Sequence, residues 1–515
     1  MAAEFDYIVI GSGINGLVAA CYLLLSGGKV IIFEKLDHLG GAAYSEEITL
    51  PGFMHDVMAT SINSSRISII LEELKLANYG YRAVRPNIIA STPFKNGNAV
   101  TMHMNVKKTI KSIEKFSKTD AKKYKDCIRF YRSYSEVVSF ASLAAPPPYS
   151  EMTSLLEESE KGLDFLKFTF TSARDWLEET FESEEVKGFF ALWGSNHAPL
   201  SPEEPGSAMT SLSFVGSLQN KGLEIPIGGI KRLIDALINF VKSHGGEIVI
   251  HEAVKKIKIK NGVAVGVTTK ANRTVFAKKG VFADIEPKSL FLRMIDLGLI
   301  SERLINNVKH FRFSKVSQVI LHAALKDKIL FSNEDVSNSA LIQIGGSLND
   351  ISKAYNECLI GSIPRSPFMT LSNSSLYDPT RAPSPHQIMW NFIRSPTFIN
   401  GKRWRDNDKE SLINKALSSL EEYSPNIKTK IMKMIALSPT DIEIINNNMV
   451  NGDPIVGSVA LDQSLYFRPF VGASQYTCEI KSLYLCGASM HPGGGISGIS
   501  GRNAALSSLS TIITE

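Results

Sequence analysis

The hydrophobic pattern begins with an apolar run, Phe5-Asp6-Tyr7-Ile8-Val9-Ile10, that breaks at Gly11-Ser12-Gly13-Ile14-Asn15-Gly16. Leu17, Ala20 and Leu23 then recur at helical spacing, and a second apolar run, Lys29-Val30-Ile31-Ile32-Phe33, ends at the acid Glu34. Strand, glycine turn, helix, strand and acid in this order predict a dinucleotide-binding βαβ unit. Gly11 permits the tight turn and Gly13 lets backbone approach a pyrophosphate. Gly16 lets the helix lie close to the strands, while the helix start at Ile14 and Asn15 directs N–H groups at the phosphates. Glu34, eighteen positions after Gly16, is placed to accept hydrogen bonds from ribose hydroxyls.

Farther along, Ile67, Ile70, Leu71 and Leu74 predict a helix over 62–77, and helical patterns fill most of 107–190, interrupted at Pro146-Pro147-Pro148. Ile225-Pro226-Ile227-Gly228-Gly229-Ile230 leads into a helix bearing Leu233, Ala236, Leu237 and Phe240, followed by a short strand, 247–250. Runs at 254–259 and 263–268 alternate around Asn261-Gly262, a hairpin signal, and 274–283 is a strand ending at Asp284. Beyond it, 317–325 alternates with Val319, Leu321, Ala323 and Leu325 on one face, and 387–392 alternates again. Between them lies the turn-rich loop Asp378-Pro379-Thr380-Arg381-Ala382-Pro383-Ser384-Pro385-His386. Leu483-Tyr484-Leu485 is a last strand, followed by Cys486-Gly487-Ala488 and the glycine run Gly493-Gly494-Gly495-Ile496 before a C-terminal helix.

With 515 residues, 44% of them apolar, the chain has material for two or three domains. The net charge of +5 does not call for nucleic acid. Five cysteines without CxxC spacing argue against a metal site, a redox dithiol and a disulfide framework, and suit a reducing compartment. The first strand begins by about the fifth residue, so no cleaved leader is expected. No stretch has the ~18 uninterrupted apolar residues of a spanning helix. A cytoplasmic location is expected. Local charge adds one feature: Lys107 to Arg132 holds eight lysines and two arginines against Glu114, Asp120 and Asp126. This is either a solvated helix face or a surface that meets anionic lipid at the inner face of a membrane.

The Gly40-Gly41 doublet so soon after Glu34-Lys35, followed by Ala42 and Ala43, means backbone passing close to the dinucleotide, and resembles the FAD-binding domain of flavoprotein oxidases and desaturases. Val254 falls on the adenine side. The glycine-rich helix start after Gly487 and Ala488, through Gly495 and Ile496, brings a second helix N-terminus toward a ring that becomes anionic on reduction. His491 is the candidate polar group beside that ring, a proton shuttle or a turn histidine ordered by Pro492. Trp193 and His197, and Gln318, His322, His386 and Asn391, either face a ligand or are satisfied polar residues of the core and sheet edges.

Together, Gly11-x-Gly13-x-x-Gly16, Gly40-Gly41, Pro226-x-Gly228-Gly229, the Asp378 to Pro383 loop, and Leu485-Cys486-Gly487 through His491-Pro492-Gly493-Gly494-Gly495 to Gly501-Arg502-Asn503-Ala504-Ala505 resemble the phytoene dehydrogenase-like FAD oxidoreductases. That group contains carotenoid desaturases, isomerases and ketolases, with relatives that bear a pyridine nucleotide-disulphide oxidoreductase label. The absence of a redox CxxC sets that label aside, and Ala42, where many carotenoid desaturases have arginine, argues against phytoene itself.

The resemblance implies an α/β protein. It has a split Rossmann-type FAD-binding domain with a β-meander (1–80, 221–290, 473–515) and an inserted α+β substrate domain with a helical cap (81–220) and a mixed sheet (291–472). It further implies removal of hydride from a C–H bond of a hydrophobic carotenoid-, polyene- or lipid-like substrate, with electrons passed to oxygen or a quinone. The alternatives are a flavin-dependent, non-oxidative polyene isomerase and a flavin-containing binding or assembly protein without turnover.

Overall fold

In the computed structural model, which describes residues 4–514, the first apolar run is β1 (Glu4–Ile10), the glycine turn leads into α1 (Ile14–Leu25), and the second run is β2 (Val30–Phe33). Past Asp6 the two strands hold no polar alternation because both faces of the sheet are covered. β2 and most of β1 are fully buried, and α1 packs against the helices Lys231–Ser243 and Ile499–Thr514.

This sheet runs in the order Glu247–Val249, β2, β1, Thr274–Ala283, Val263–Thr269, Val254–Lys260, with Leu483–Leu485 added in parallel to the end of Thr274–Ala283. The first four strands are parallel, and the last three in that order form an antiparallel meander. The chain therefore returns to one sheet from three separated stretches, and the turn after β1 faces both Asp284 and the C-terminal glycine run.

The second sheet is mixed: Ile431–Leu437, Val316–Leu325, Gln387–Pro396, Met369–Ser372, Leu341–Ile344, Ile88–Pro93, Ala99–His103, with one parallel contact between Leu341–Ile344 and Ile88–Pro93. Val319, Leu321, Ala323 and Leu325 share the core on one face with Leu412, Ala416 and Leu420 of the helix Asp406–Glu421. The opposite face carries Ile320, Trp390 and Phe392 toward Val57 and Met58, beside the first sheet. The hairpin Ile88–Pro93 and Ala99–His103 falls in a stretch expected to be helical. Its signal is in the sequence, in Asn96-Gly97 between two apolar runs. The helix expected over 62–77 is shorter, Ser64–Glu73, capped by Asn63, which accepts from the Ser65 N–H; Lys75 then adopts φ 48 and breaks the helical path.

One buried ionic cluster ties the parts together. Arg381, 0% exposed, places Nη1 2.9 Å from Asp56 Oδ1 and Nε 2.7 Å from Asp378 Oδ2. Asp378 Oδ2 also accepts from the Gly228 N–H, and Asp56 Oδ1 accepts from the Ile230 N–H and the Ser45 hydroxyl. Burial opposes the guanidinium's charge, but the two carboxylates overcome this and hold its pKa above the ordinary value. The Asp378 loop, the Pro226-x-Gly228-Gly229 turn and the chain after Gly41 are thus fastened at one point. Arg381→Met leaves two carboxylates buried without their cation, and is expected to lower stability by about 3–5 kcal/mol in chemical denaturation.

Candidate functional site

The turn between β1 and α1 is a cradle that any side chain would fill. A Cβ on Gly13 would lie 2.4 Å from Asp284 Oδ2, and one on Gly16 2.2 Å from the Gly11 carbonyl oxygen. Gly13 caps α1 with no side chain of its own, and of the first-turn N–H groups Asp284 Oδ2 takes that of Gly16, which leaves those of Ile14 and Asn15 for an anion. Glu34, buried at the end of β2, accepts through Oε2 from the Ser12 N–H (2.9 Å) and hydroxyl (2.7 Å), and through Oε1 from the Leu36 N–H (2.9 Å). The carboxylate is therefore fixed to the glycine turn. Gly40 donates its N–H to the Ser12 carbonyl, and Gly41, at φ 60, has the Cα of Gly13 3.3 Å from where a Cβ would stand.

A cleft of about 450 Å³ runs over this cradle. Gly11, Gly13, Ile14, Asn15, Glu34, Lys35, Gly40, Gly41, Ala42, Ala43, Val254, Ala488, Gly495 and Ile496 all line it. Gly16 and Gly487 stand behind its wall: Gly16 donates its N–H to Asp284 Oδ2 (3.2 Å), and a Cβ on Gly487 would lie 3.2 Å from Asp284 Oδ1. The glycines near the C-terminus divide into two groups. Gly494 and Gly495 border the cleft, whereas Gly498 and Gly501 let the last helix touch α1, where a Cβ would meet Val18 Cγ2 at 2.6 Å and the Asn15 carbonyl at 2.0 Å. The last helix itself begins at Ile499, after the glycine run.

Two features of the cleft went unread in the sequence. Asp284, at the end of its strand, is buried beneath the glycine turn, and burial, against the Gly16 N–H and with the Glu34 charge nearby, pushes its pKa up to about 7. The other is the loop Asn446-Asn447-Asn448, which closes the cleft from the second sheet's side. Asn447 accepts from Lys35 Nζ (2.6 Å), and Asn448 donates to the Asp284 carbonyl (2.9 Å) and accepts from the Glu286 N–H (3.1 Å). The run of three asparagines, which suits local hydrogen bonding in a loop, was the available signal.

The cleft continues into a chamber on the second sheet, lined by Gln318, Thr370, Trp390, Phe392, Arg394 and His197. His197 is partly exposed to cavity space; burial, then the Arg394 cation, lowers its pKa to about 3, and its ring stacks on Trp193 at 4.6 Å. His322, Asn391 and His386 lie outside the chamber. His322 contacts the Val57 carbonyl, Asn391 donates to Met369 Sδ, and His386 Nδ1 contacts the Lys326 carbonyl.

His491 lines a second cavity of about 580 Å³ under the cap helices, among Val138, Met152, Leu156, Phe165, Met209 and Phe214. The two cavities meet at His197, Ile455 and Gly494. His491 Nε2 donates to the Ala141 carbonyl, and burial, with Arg468 and Arg66 nearby, lowers its pKa to about 4. At neutral pH its one ring proton is held by a backbone carbonyl, an arrangement that suits orientation of the Gly493 turn better than proton transfer.

FAD fits this cleft. A glycine cradle closed to side chains, free N–H groups of Ile14 and Asn15 at the helix start and a fixed carboxylate acceptor on the ribose side are the groups an adenine dinucleotide needs, and the cavity goes on past the nucleotide half into a chamber bounded by Trp390 and Phe392. Residues 9–74 match the model of the NAD(P)-binding Rossmann-like domain. Over 98% of its length the chain is 27% identical to pyridine nucleotide-disulfide oxidoreductase domain-containing protein 2 of Rattus norvegicus, covering 93% of that protein. A limonene dehydrogenase component of Castellaniella defragrans is also 27% identical, over 98% of the chain and 94% of the relative. A 4,4'-diapophytoene desaturase of Methylomonas sp and prolycopene isomerase 2 of an Oncidium hybrid cultivar match at 23%, over 96% of the chain.

The chain is a homologue of the phytoene desaturase-like FAD oxidoreductases. Its fold agrees: an oxidoreductase from Methanosarcina mazei superposes with a TM-score of 0.61 at 17% identity, covering 99% of this chain and all of the other. In this homologue the disulfide label of the rat protein has no counterpart. All five cysteines are free, and burial pushes the thiols of Cys21, Cys358 and Cys486 up, away from thiolate chemistry.

The raised pKa of Asp284 has a measurable sign. Its folded value lies above the ordinary 3.8, so the stability it contributes is present below that value and is lost as pH rises through about 7. In the apoprotein, Asp284→Asn is therefore expected to be more stable than the parent at pH ~8, by as much as ~4 kcal/mol, with the difference shrinking as pH falls toward ~5 in urea titrations.

Proposed function

We propose that the chain is a flavin-dependent dehydrogenase that removes hydride from a C–H bond of an apolar carotenoid-, polyene- or lipid-like substrate, with electrons passed on to oxygen or a quinone. The observation that best supports this is continuity: the dinucleotide cleft and the chamber bounded by Trp390 and Phe392 are one cavity. Bound FAD would supply a hydride-accepting ring. The chain's own residues bind, orient and dry the reactants. Gly11 to Asn15, Glu34 and Gly40 to Ala43 hold the dinucleotide, Val254 borders the adenine side, and Ala488, Gly495 and Ile496 flank the far end. Trp390 and Phe392 present apolar surface, and neutral His197 adds no charge that would need water.

Substrates of this class partition into lipid, and the cap supports entry from there. Phe140, Leu155, Leu163 and Phe170 stand exposed on the helices over the second cavity, and the cations from Lys107 to Arg132 face solvent on neighbouring helices. No described helix is long and apolar enough to cross a membrane. A cytoplasmic enzyme resting on the inner face of a membrane is the arrangement this suits. Co-sedimentation is expected with vesicles containing anionic lipid, weaker with zwitterionic vesicles, and reduced severalfold by Leu155→Glu combined with Phe140→Glu; equal recovery on both vesicle types would remove the membrane reading.

The purified protein should be yellow. Anaerobic mixing with its substrate should bleach the flavin band and yield a product lighter by two hydrogens. The prolycopene isomerase relative favours a second reading, non-oxidative isomerisation, which predicts product of unchanged mass. Flavin that stays oxidised across lipophilic candidates, with no product of either mass, would sink both.

A further inference from the structure

Arg394 lies at the chamber's inner end, 1% exposed, on the same strand face as Trp390 and Phe392. A buried guanidinium in a protein interior ordinarily has a carboxylate partner. Arg381 has two; Arg394 has none within ion-pair distance among the described residues. It donates to the backbone carbonyls of Asn196 and Ser317, its Nε–H is unpaired, and its plane sits 4.8 Å from the Phe392 ring. Asp453 acts on it through space, but that carboxylate is committed to the N–H groups of Ser314, Ile455 and Gly457.

Its cross-strand neighbour repeats the pattern. Gln318, directly opposite Arg394 in the strand register, lines the chamber, and its side-chain amide has no partner among the described residues. Arg394 and Gln318, cross-strand neighbours, therefore bring one unanswered positive charge and one unpartnered amide to the same place in the chamber wall. An unanswered guanidinium beside an unpartnered amide is costly to bury, and a carboxylate in the chamber would answer both.

Resting on the reading of this chamber as the substrate site, we propose that the substrate is an amphiphile: an apolar body ending in a carboxylate that is held at Arg394 and Gln318, rather than a pure hydrocarbon. The apolar body then lies between this anchor and the cofactor cleft, and the anchor fixes which carbon is presented to it.

The test compares dodecanoate with dodecanol on the flavin-loaded protein by calorimetry. Dodecanoate is expected to bind about tenfold tighter or better. Arg394→Gln is expected to erase that margin while changing dodecanol affinity less than about twofold, and Gln318→Leu, which breaks no contact in the protein, to cut it severalfold. Equal binding of the two probes to the parent protein, or a margin untouched in both variants, would overturn the proposal. Should Arg394→Gln fail to fold, the parent comparison and Gln318→Leu decide. The outcomes separate from the dehydrogenase reading: a protein that takes up no FAD yet prefers dodecanoate refutes the flavoenzyme and keeps the anchor, and a flavin-loaded protein without the preference does the reverse.

Discussion

The Arg381–Asp56–Asp378 cluster is the constraint on which the rest depends. Two carboxylates and one guanidinium, none in contact with solvent, can coexist only if they stay together, because parting them strands a buried charge. Since Asp378 belongs to the second sheet's loops, Asp56 to the chain after the dinucleotide turn, and their backbone partners to the Gly228 turn, this requirement sets the position of one sheet against the other. The cavity between the sheets inherits its width from that setting.

Within this frame the molecule separates two kinds of surface along a single cavity. Over the glycine turn, backbone N–H groups and a fixed carboxylate suit a charged, hydroxyl-bearing nucleotide. Past Ile455 the walls become aromatic and the histidines are neutral. His197 and His491 owe their lost charge to burial beside arginines, so cation and neutral imidazole are two results of the same desolvated setting.

The dinucleotide half was legible because its chemistry is local. Glycine spacing, strand, helix and acid lie within one stretch, and a missing Cβ is a property that the sequence states outright. The alternating face of Val319 to Leu325 was legible for the same reason. What could not be read were consequences of distant chain segments meeting. Asp284 looks like an ordinary strand end until Gly16, 268 positions away, is placed above it. Arg394 resembles any arginine in a strand until the cap buries it. The hairpin around Asn96-Gly97 did carry a signal, but the helical patterns after it dominated the reading of that region. The glycine run near the C-terminus was read as one device and turned out to be two, since cofactor clearance and helix contact demand the same residue.

The bridge from Lys35 to Asn447, with Asn448 holding Asp284 and Glu286, closes the cleft by bonds between protein groups rather than through any ligand. Lys35 and Asp284, both beside the dinucleotide turn, are thereby tied to one loop of the other sheet's side, so a change in that loop reaches the cradle without touching any of its glycines.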